Sequence, residues 1–256
     1  MDRQKSEIVE KDRKGGKGGK KKYVIVAVLL AVAAAMVVAG FCMNKMSEER
    51  MRGIRPSPSA PRHSTPGQIE KPMIYLYPEK EMEVAVKLGS PEKITVDYPD
   101  YADGWKVVAK PNGDLREVGT GRELYALYYE AHGERKERTK EGFVVAKDEV
   151  ESFLEEKLEI LGLNYKEKEE FMTYWIPKME AEPYVYVRFL SLEEIEKEMA
   201  LIVSPAPETM IRILMVFEGL SEREVGRAKK GLVEQKLEVA PERRGFTVVE
   251  WGGSEL

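Results

Sequence analysis

The apolar pattern of this chain begins with one unbroken run. Residues 23–43 are 21 residues without a charge, which as a helix rising about 1.5 Å per residue spans about 31 Å, the thickness of a bilayer's hydrocarbon core. Beyond it the pattern breaks into short pieces. "MIYLY" lies between Pro72 and Pro78 and predicts a strand from Met73 to Tyr77. "MEVAVKL" alternates, with Met82, Val84, Val86 and Leu88 on one side and Glu83 and Lys87 on the other, as a half-buried strand does. "KITVDYP" and "GWKVVAK" continue the β character, and "KPNGDL" supplies a turn. "RELYALYYEA" is apolar at both parities, Leu124, Ala126 and Tyr128 against Tyr125, Leu127 and Tyr129, and predicts a strand central in a sheet.

The period then changes. Val150, Phe153, Leu154, Leu158 and Leu161 form one helical stripe, with Asp148 as a cap and Gly162 as a stop. Asn164 predicts the cap of a second helix whose inner face holds Phe171, Met172, Trp175, Ile176 and Met179, with Pro177 kinking it or marking its last turn. "PYVYVRFL" returns to β, "SLEEIEKEM" reads as a short charged helix or loop, and "ETMIRILMVFEGL" predicts a strand from Met210 to Phe217. "RAKKGLVEQKLEV" is ambiguous, and "RGFTVVEWGG" closes with a strand and a glycine-terminated tail. This order implies an α+β fold: a mostly antiparallel β domain with an inserted helical hairpin, preceded by one N-terminal transmembrane helix. The first strands suffice for a small sandwich of their own.

Charge orients the apolar run. Residues 1–69 hold 14 Lys and Arg against 6 Asp and Glu, while residues 70–256 hold 27 against 39. Nine of the basic residues precede the run and four follow closely, which places the N-terminus in the cytoplasm and the C-terminal body outside it. Residues 1–22 read as a disordered basic tail resting on anionic headgroups, residues 23–43 as a signal-anchor in membrane lipid, residues 44–70 as a Pro/Ser-rich linker and residues 71–253 as an extracytoplasmic domain. A cleavable signal has a shorter apolar region of about 7–15 residues, although cleavage after Ala39 or Gly40 stays open. Lipid attachment at Cys42 is opposed by the bulky Phe41 before it, and a single cysteine rules out an intrachain disulfide. The acidic body repels phosphate, which argues against nucleic acid as a ligand. The high Lys and Glu content with three Asn and three Gln is the habit of proteins from hot environments.

Candidate chemistry is sparse. The two histidines, His63 and His132, and the absence of a Gly-x-Ser-x-Gly elbow leave no evident nucleophilic triad. Glu130, His132 and Glu134 would share a strand face, but Gly133 and the charged residues after it predict a solvated strand end, so no metal and no cofactor are expected. Glu130 and Glu250 each follow an aromatic strand; each would either border a cleft or pair with Arg188, Arg212 or Arg244. Among the aromatic residues Tyr184, Tyr186, Trp105 and Trp251 are candidate ligand contacts, with Tyr184 and Tyr186 sharing one strand face as the pair expected at the surface. The same aromatic spacing also serves an ordinary core.

The segments "KPMIYLYPE", "MEVAVKL", "YALYYEA", "EFMTYWIPKMEAEPY" and "ERRGFTVVEWGG" together resemble an uncharacterised family of bacterial and fungal proteins with a Lys-Pro-x-Ile-Tyr-Leu-Tyr-Pro opener and a closing Val-Glu-Trp-Gly-Gly. The resemblance spans roughly residues 70–253 and implies one continuous domain, without an activity, cofactor or catalytic residue. The expectation is therefore a single-pass anchored protein whose outer domain is a non-catalytic binding or structural module, with an envelope protein or glycan as partner. The alternative is an anchored hydrolase acting on envelope glycan through carboxylates; whether the protein is an enzyme stays open.

Overall fold

The computed structural model describes residues 67–256. The basic tail, the apolar run 23–43 and nearly all of the linker lie outside the described residues. Among the described residues no helix is long and apolar enough to cross a membrane.

Two sheets carry the fold. The larger has eight strands in the order β12–β8–β9–β11–β13–β1–β7–β3. These are β1 (Gln68–Tyr77), β3 (Ile94–Tyr98), β7 (Leu127–His132), β8 (Glu141–Ala146), β9 (Tyr184–Phe189), β11 (Thr209–Leu220), β12 (Val233–Glu234) and β13 (Thr247–Glu255). The smaller sheet runs β10–β2–β4–β5–β6, from β2 (Met82–Leu88), β4 (Trp105–Ala109), β5 (Leu115–Glu117), β6 (Glu123–Leu124) and β10 (Leu201–Ser204). Pairing is antiparallel except for β11 with β13 and β12 with β8. The fold is thus mixed α+β with mostly antiparallel sheets, and the hairpin of α1 (Val150–Ile160) and α2 (Tyr165–Met179) is its main helical part.

The two parities of the central strands explain the layering. On β11, Ile211, Ile213, Met215 and Phe217 meet the helical hairpin, together with Val185, Val187 and Phe189 of β9 and Val249 and Trp251 of β13. On the opposite side Ile74, Leu76, Leu127, Tyr129 and Val248 pack against Val84, Val86, Trp105, Val107 and Leu115 of the smaller sheet. Where that sheet ends, α3 (Leu192–Glu198) covers Leu214 and Val216 with Ile195, and Ala228 of α4 (Val225–Lys229) packs on Tyr186 and Leu220. A strand covered on both faces must be apolar at both parities, as β11 and β13 are.

Several expectations need correction. "RELYALYYEA" is not one central strand: the chain changes sheets at Tyr125 and Ala126, so β6 closes the small sheet and β7 lies next to the edge of the large one. The first strands do not form a sandwich of their own, because β1, β3 and β7 join the large sheet. Asp148 does not cap α1; a short 3-10 turn over Lys147–Glu149 leads in, and Glu149 stands at the cap without a side-chain bond. Asn164 does cap α2, accepting from the Lys166 and Glu167 amides in a reciprocal box with Glu167. Pro177 sits in the last turn of α2.

The closing glycines are not a tail. Gly252 and Gly253 lie inside β13, where a Cβ on Gly253 would stand 2.6 Å from the Trp175 ring and one on Gly252 3.1 Å from Pro72. Gly253→Ala is expected to lower stability by about 1–3 kcal/mol, because Trp175 is fully buried and has nowhere to retreat; denaturant unfolding at equilibrium measures the loss.

Candidate functional site

The most unusual local structure is an irregularity in β1. Glu70 pairs with Gly253 and Met73 with Trp251, so three steps along β1 oppose two along β13. The extra residue makes a β-bulge, which interrupts the alternation of side chains. Lys71 sits in it at φ +56°, a left-handed conformation costing a non-glycine residue about 1–2 kcal/mol. Pro72 follows, tolerated in an inner strand because the bulge removes it from the ladder. The consequence is that Glu70 and Lys71, although consecutive, both reach partners on the helix side of the sheet.

Helix α2 supplies the other half. Its start is held by Glu167, which accepts two hydrogen bonds from the Arg243 guanidinium besides closing the capping box. Its middle is held by Trp175 over Gly253. Glu170, Tyr174 and Lys178 then recur every four residues along the rim of the buried stripe and overhang β1 and β7.

Hydrogen bonds knit the two halves. The Tyr75 hydroxyl donates to Glu170 Oε2 at 2.6 Å and the Tyr125 hydroxyl to Glu170 Oε1 at 3.0 Å. The Tyr128 hydroxyl donates to Glu130 Oε1 at 2.6 Å, and Gln68 Nε2 to Glu130 Oε2 at 3.1 Å. The Tyr174 hydroxyl donates to Glu70 Oε2 at 3.0 Å, and Lys178 bonds the same oxygen. Lys71 Nζ stands 3.6 Å from Glu170 Oε1, 5.3 Å from the centre of the Tyr128 ring and 5.9 Å from that of Tyr174, within reach of cation–π attraction.

Burial, reinforced by Glu170, pushes the Tyr125 hydroxyl up to about 12. Burial first and the facing carboxylate second also raise Tyr75, Tyr128 and Tyr174. These hydroxyls are therefore neutral donors whose protons are committed to carboxylates. What the face still offers is ring surface. Tyr125 is 56% exposed and Tyr98, opposite Tyr128 on the edge strand β3, is 51% exposed, with the Arg122 guanidinium 5.5 Å from its ring centre.

Of the six ligand candidates read from the sequence, Tyr184, Tyr186, Trp105, Trp251, Glu130 and Glu250, only Glu130 belongs to this face. Tyr184 is half-buried on the opposite side of the sheet, beneath Lys229. Tyr186 is fully buried, which corrects the expectation of an exposed pair: its hydroxyl donates to the Glu141 carbonyl at 2.6 Å, and α4 covers its ring. Trp105 lies between the sheets with its indole N–H on the Pro99 carbonyl, and Trp251 packs edge-on against Phe171. Glu250 is buried and takes Arg212 Nε at 2.6 Å and the Tyr129 hydroxyl at 2.9 Å. The remaining Arg212 nitrogens bond Glu196 and the Met199 carbonyl. Burial alone would depress Arg212, but Glu250 outweighs it and raises its pKa. Of the pairings weighed for Glu250, the one with Arg212 is the one formed. His132 is exposed at the end of β7 and the Glu134 amide bonds Glu198; among the described residues no cluster of three ligating side chains forms.

Glu70, Lys71, Glu170, Tyr174 and Lys178 were missed. The four-residue spacing of the last three beside an apolar stripe was a usable signal; a bulge that turns two consecutive residues to one face had none in the pattern. No family model, curated protein or solved structure matches the chain.

Two measurements probe this geometry. Tyr125 is expected to titrate near 12, and Glu170→Gln to bring it down toward the ordinary value of about 10, read from tyrosinate absorbance with Tyr125→Phe as the subtraction. Because its folded-state pKa lies above the unfolded one, the stability Tyr125 contributes is complete below about 10 and is lost as the pH climbs through about 12. Separately, Lys71→Gly should leave unfolding stability within about 1 kcal/mol, since released strain offsets the lost contacts; a large destabilisation would show that the lysine serves the fold.

Proposed function

We propose that this protein is a single-pass anchored binding module whose outer domain engages envelope glycan on the tyrosine face, without catalysing a reaction. The observation that carries the reading is the pair of exposed rings, Tyr98 and Tyr125, beside a hydrogen-bonded row of carboxylates and lysines. Sugars present apolar C–H faces that stack on such rings and hydroxyls that meet fixed polar groups. Tyr98 ends strand β3, and Tyr125, in the bend between β6 and β7, is held by its hydrogen bond to Glu170, so both rings are positioned before a ligand arrives. The uncharged run 23–43 and the flanking lysines support an anchor with the body outside the cytoplasm.

One observation favours the alternative, an anchored hydrolase working through carboxylates: Glu70, Glu130 and Glu170 all belong to this face. Against it, every one of them accepts two donors from the protein.

Purified full-length protein in neutral detergent, mixed with isolated envelope polysaccharide and sedimented, tests the proposal. Wild type should co-sediment, and Tyr98→Ala with Tyr125→Ala should reduce retention about tenfold while the protein stays folded at the assay temperature, as its circular dichroism would show. Retention untouched by the double substitution would refute the tyrosine face as the contact. Release of reducing ends that Glu130→Gln abolishes would favour the hydrolase instead.

A further inference from the structure

The opposite end of the large sheet holds a second feature, independent of the tyrosine face. β12 pairs only with Glu141 and Gly142, at the start of β8. Past that point, among the described residues, no strand lies beside the outer edge of β8. On the inner side Phe143 pairs with Val187 and Val145 with Val185. Leu190 N–H reaches Leu214 on β11, so the even residues of β9 face β11 and the odd ones face β8. By alternation Phe143 and Val145 point their amides inward, and the Val144 N–H, the Val144 C=O and the Ala146 N–H point outward. Among the described residues none of these three makes a backbone hydrogen bond to another strand.

This open edge is not bare. It lies in a groove of about 530 Å³, lined on one side by Phe153, Glu156 and Lys157 of α1 and on the other by Lys229 and Leu232. Phe143 and Phe153 meet edge to face at 5.1 Å, and Val144 packs with Leu232 and Tyr184 on the far side. A strand edge with an apolar floor and helical walls is the geometry that receives one extended peptide and excludes a second sheet. The outer surface of α1 and its lead-in turn carries Asp148, Glu149, Glu151, Glu155, Glu156 and Glu159, five of which line a neighbouring cavity. Glu155 pairs with Lys168 and Glu156 with Lys157, so the net negative charge rests on Asp148, Glu149, Glu151 and Glu159, with Glu234 as a further carboxylate in the groove's lining, which also holds Lys229.

We infer that the β8 edge is a docking groove for an extended, basic peptide segment of a partner protein, which adds as a strand to Val144 and Ala146 while its Lys or Arg side chains face α1. Charge complementarity selects the peptide, and the backbone edge selects its extended form.

Fluorescence anisotropy with the full-length chain in neutral detergent tests this. The probe is a labelled alternating Lys-Val peptide; its Glu-Val counterpart and a version N-methylated at every second residue are the controls. The Lys-Val peptide should bind at least about tenfold more tightly than either control. Glu149→Lys with Glu156→Lys should weaken it about tenfold without changing thermal unfolding, since both side chains are exposed. Val144→Pro should do so by removing an outward N–H. Tyr98→Ala with Tyr125→Ala should leave peptide binding intact, which separates this groove from the tyrosine face. Equal binding of the acidic or N-methylated peptide, or no binding, would overturn the proposal. So would a detergent-solubilised dimer that Val144→Pro splits, because the occupant would then be a second copy of this chain.

Discussion

The close approach made possible by Gly252 and Gly253 is the constraint on which the rest depends. β13 is the strand between β11 and β1, so anything that must lie tight against its end needs a position without a side chain. Gly253 receives the Trp175 ring and thereby seats α2; Gly252 receives Pro72 and thereby seats the bulge of β1. Two unrelated segments, a helix and a strand irregularity, are registered against the same two residues. Their side chains meet one layer out, where Glu170 joins Tyr75 and Glu70 joins Tyr174. The tyrosine face is thus a by-product of core packing at a single point, and its precision is inherited from a fully buried indole.

Arg212 and Glu250 set a second, more costly constraint. Removing two charges from water is expensive, and their attraction repays it only when the remaining hydrogen-bonding capacity is filled. Here it is filled: Glu250 also takes Tyr129, and Arg212 also takes Glu196 and the Met199 carbonyl. The network joins β11, β13 and β7 to α3 and to the residue after it, so it fixes how the large sheet meets its cover beyond the small sheet. Loss of either partner would leave a buried charge uncompensated, a penalty of about 3–5 kcal/mol in such settings.

What was legible in the sequence follows from what periodicity encodes. The half-buried strand from Met82 to Leu88 and the stripe of Phe171, Met172, Trp175 and Met179 were readable because each element has one wet face. Strands covered on both sides carry no such contrast. That is why the change of sheets at Tyr125 read as one continuous strand, and why Tyr186, apolar in company with its neighbours, gave no sign of which cover it lay under. Pairing of Glu250 with an arginine was legible, but Arg188, Arg212 and Arg244 were equal candidates until the fold brought Arg212, 38 positions away in sequence, beside it. The site was least legible of all: Glu130 was visible, but Lys71 and Glu70 reach the face only through a bulge, and a bulge is set by the partner strand rather than by local pattern.

The two ends of the large sheet are managed by different physics, and this bears on what each can bind. At one end β3 is five residues long, its register is broken between Ile94 and Val96, and Lys93 and Asp97 flank the break. A short, bulged, charged edge resists strand addition, so a ligand bound there would meet ring faces rather than backbone. At the other end β8 is regular from Phe143 to Ala146 and is shielded by walls instead of distortion. Its backbone groups remain aligned for pairing, and α1 and Leu232 flank them on the two sides. Five strand steps of about 4.8 Å separate β8 from β7, roughly 24 Å through one continuous sheet. At that spacing a glycan on the tyrosine face and a peptide in the groove would not compete for room, and a rigid sheet would hold both at a fixed separation.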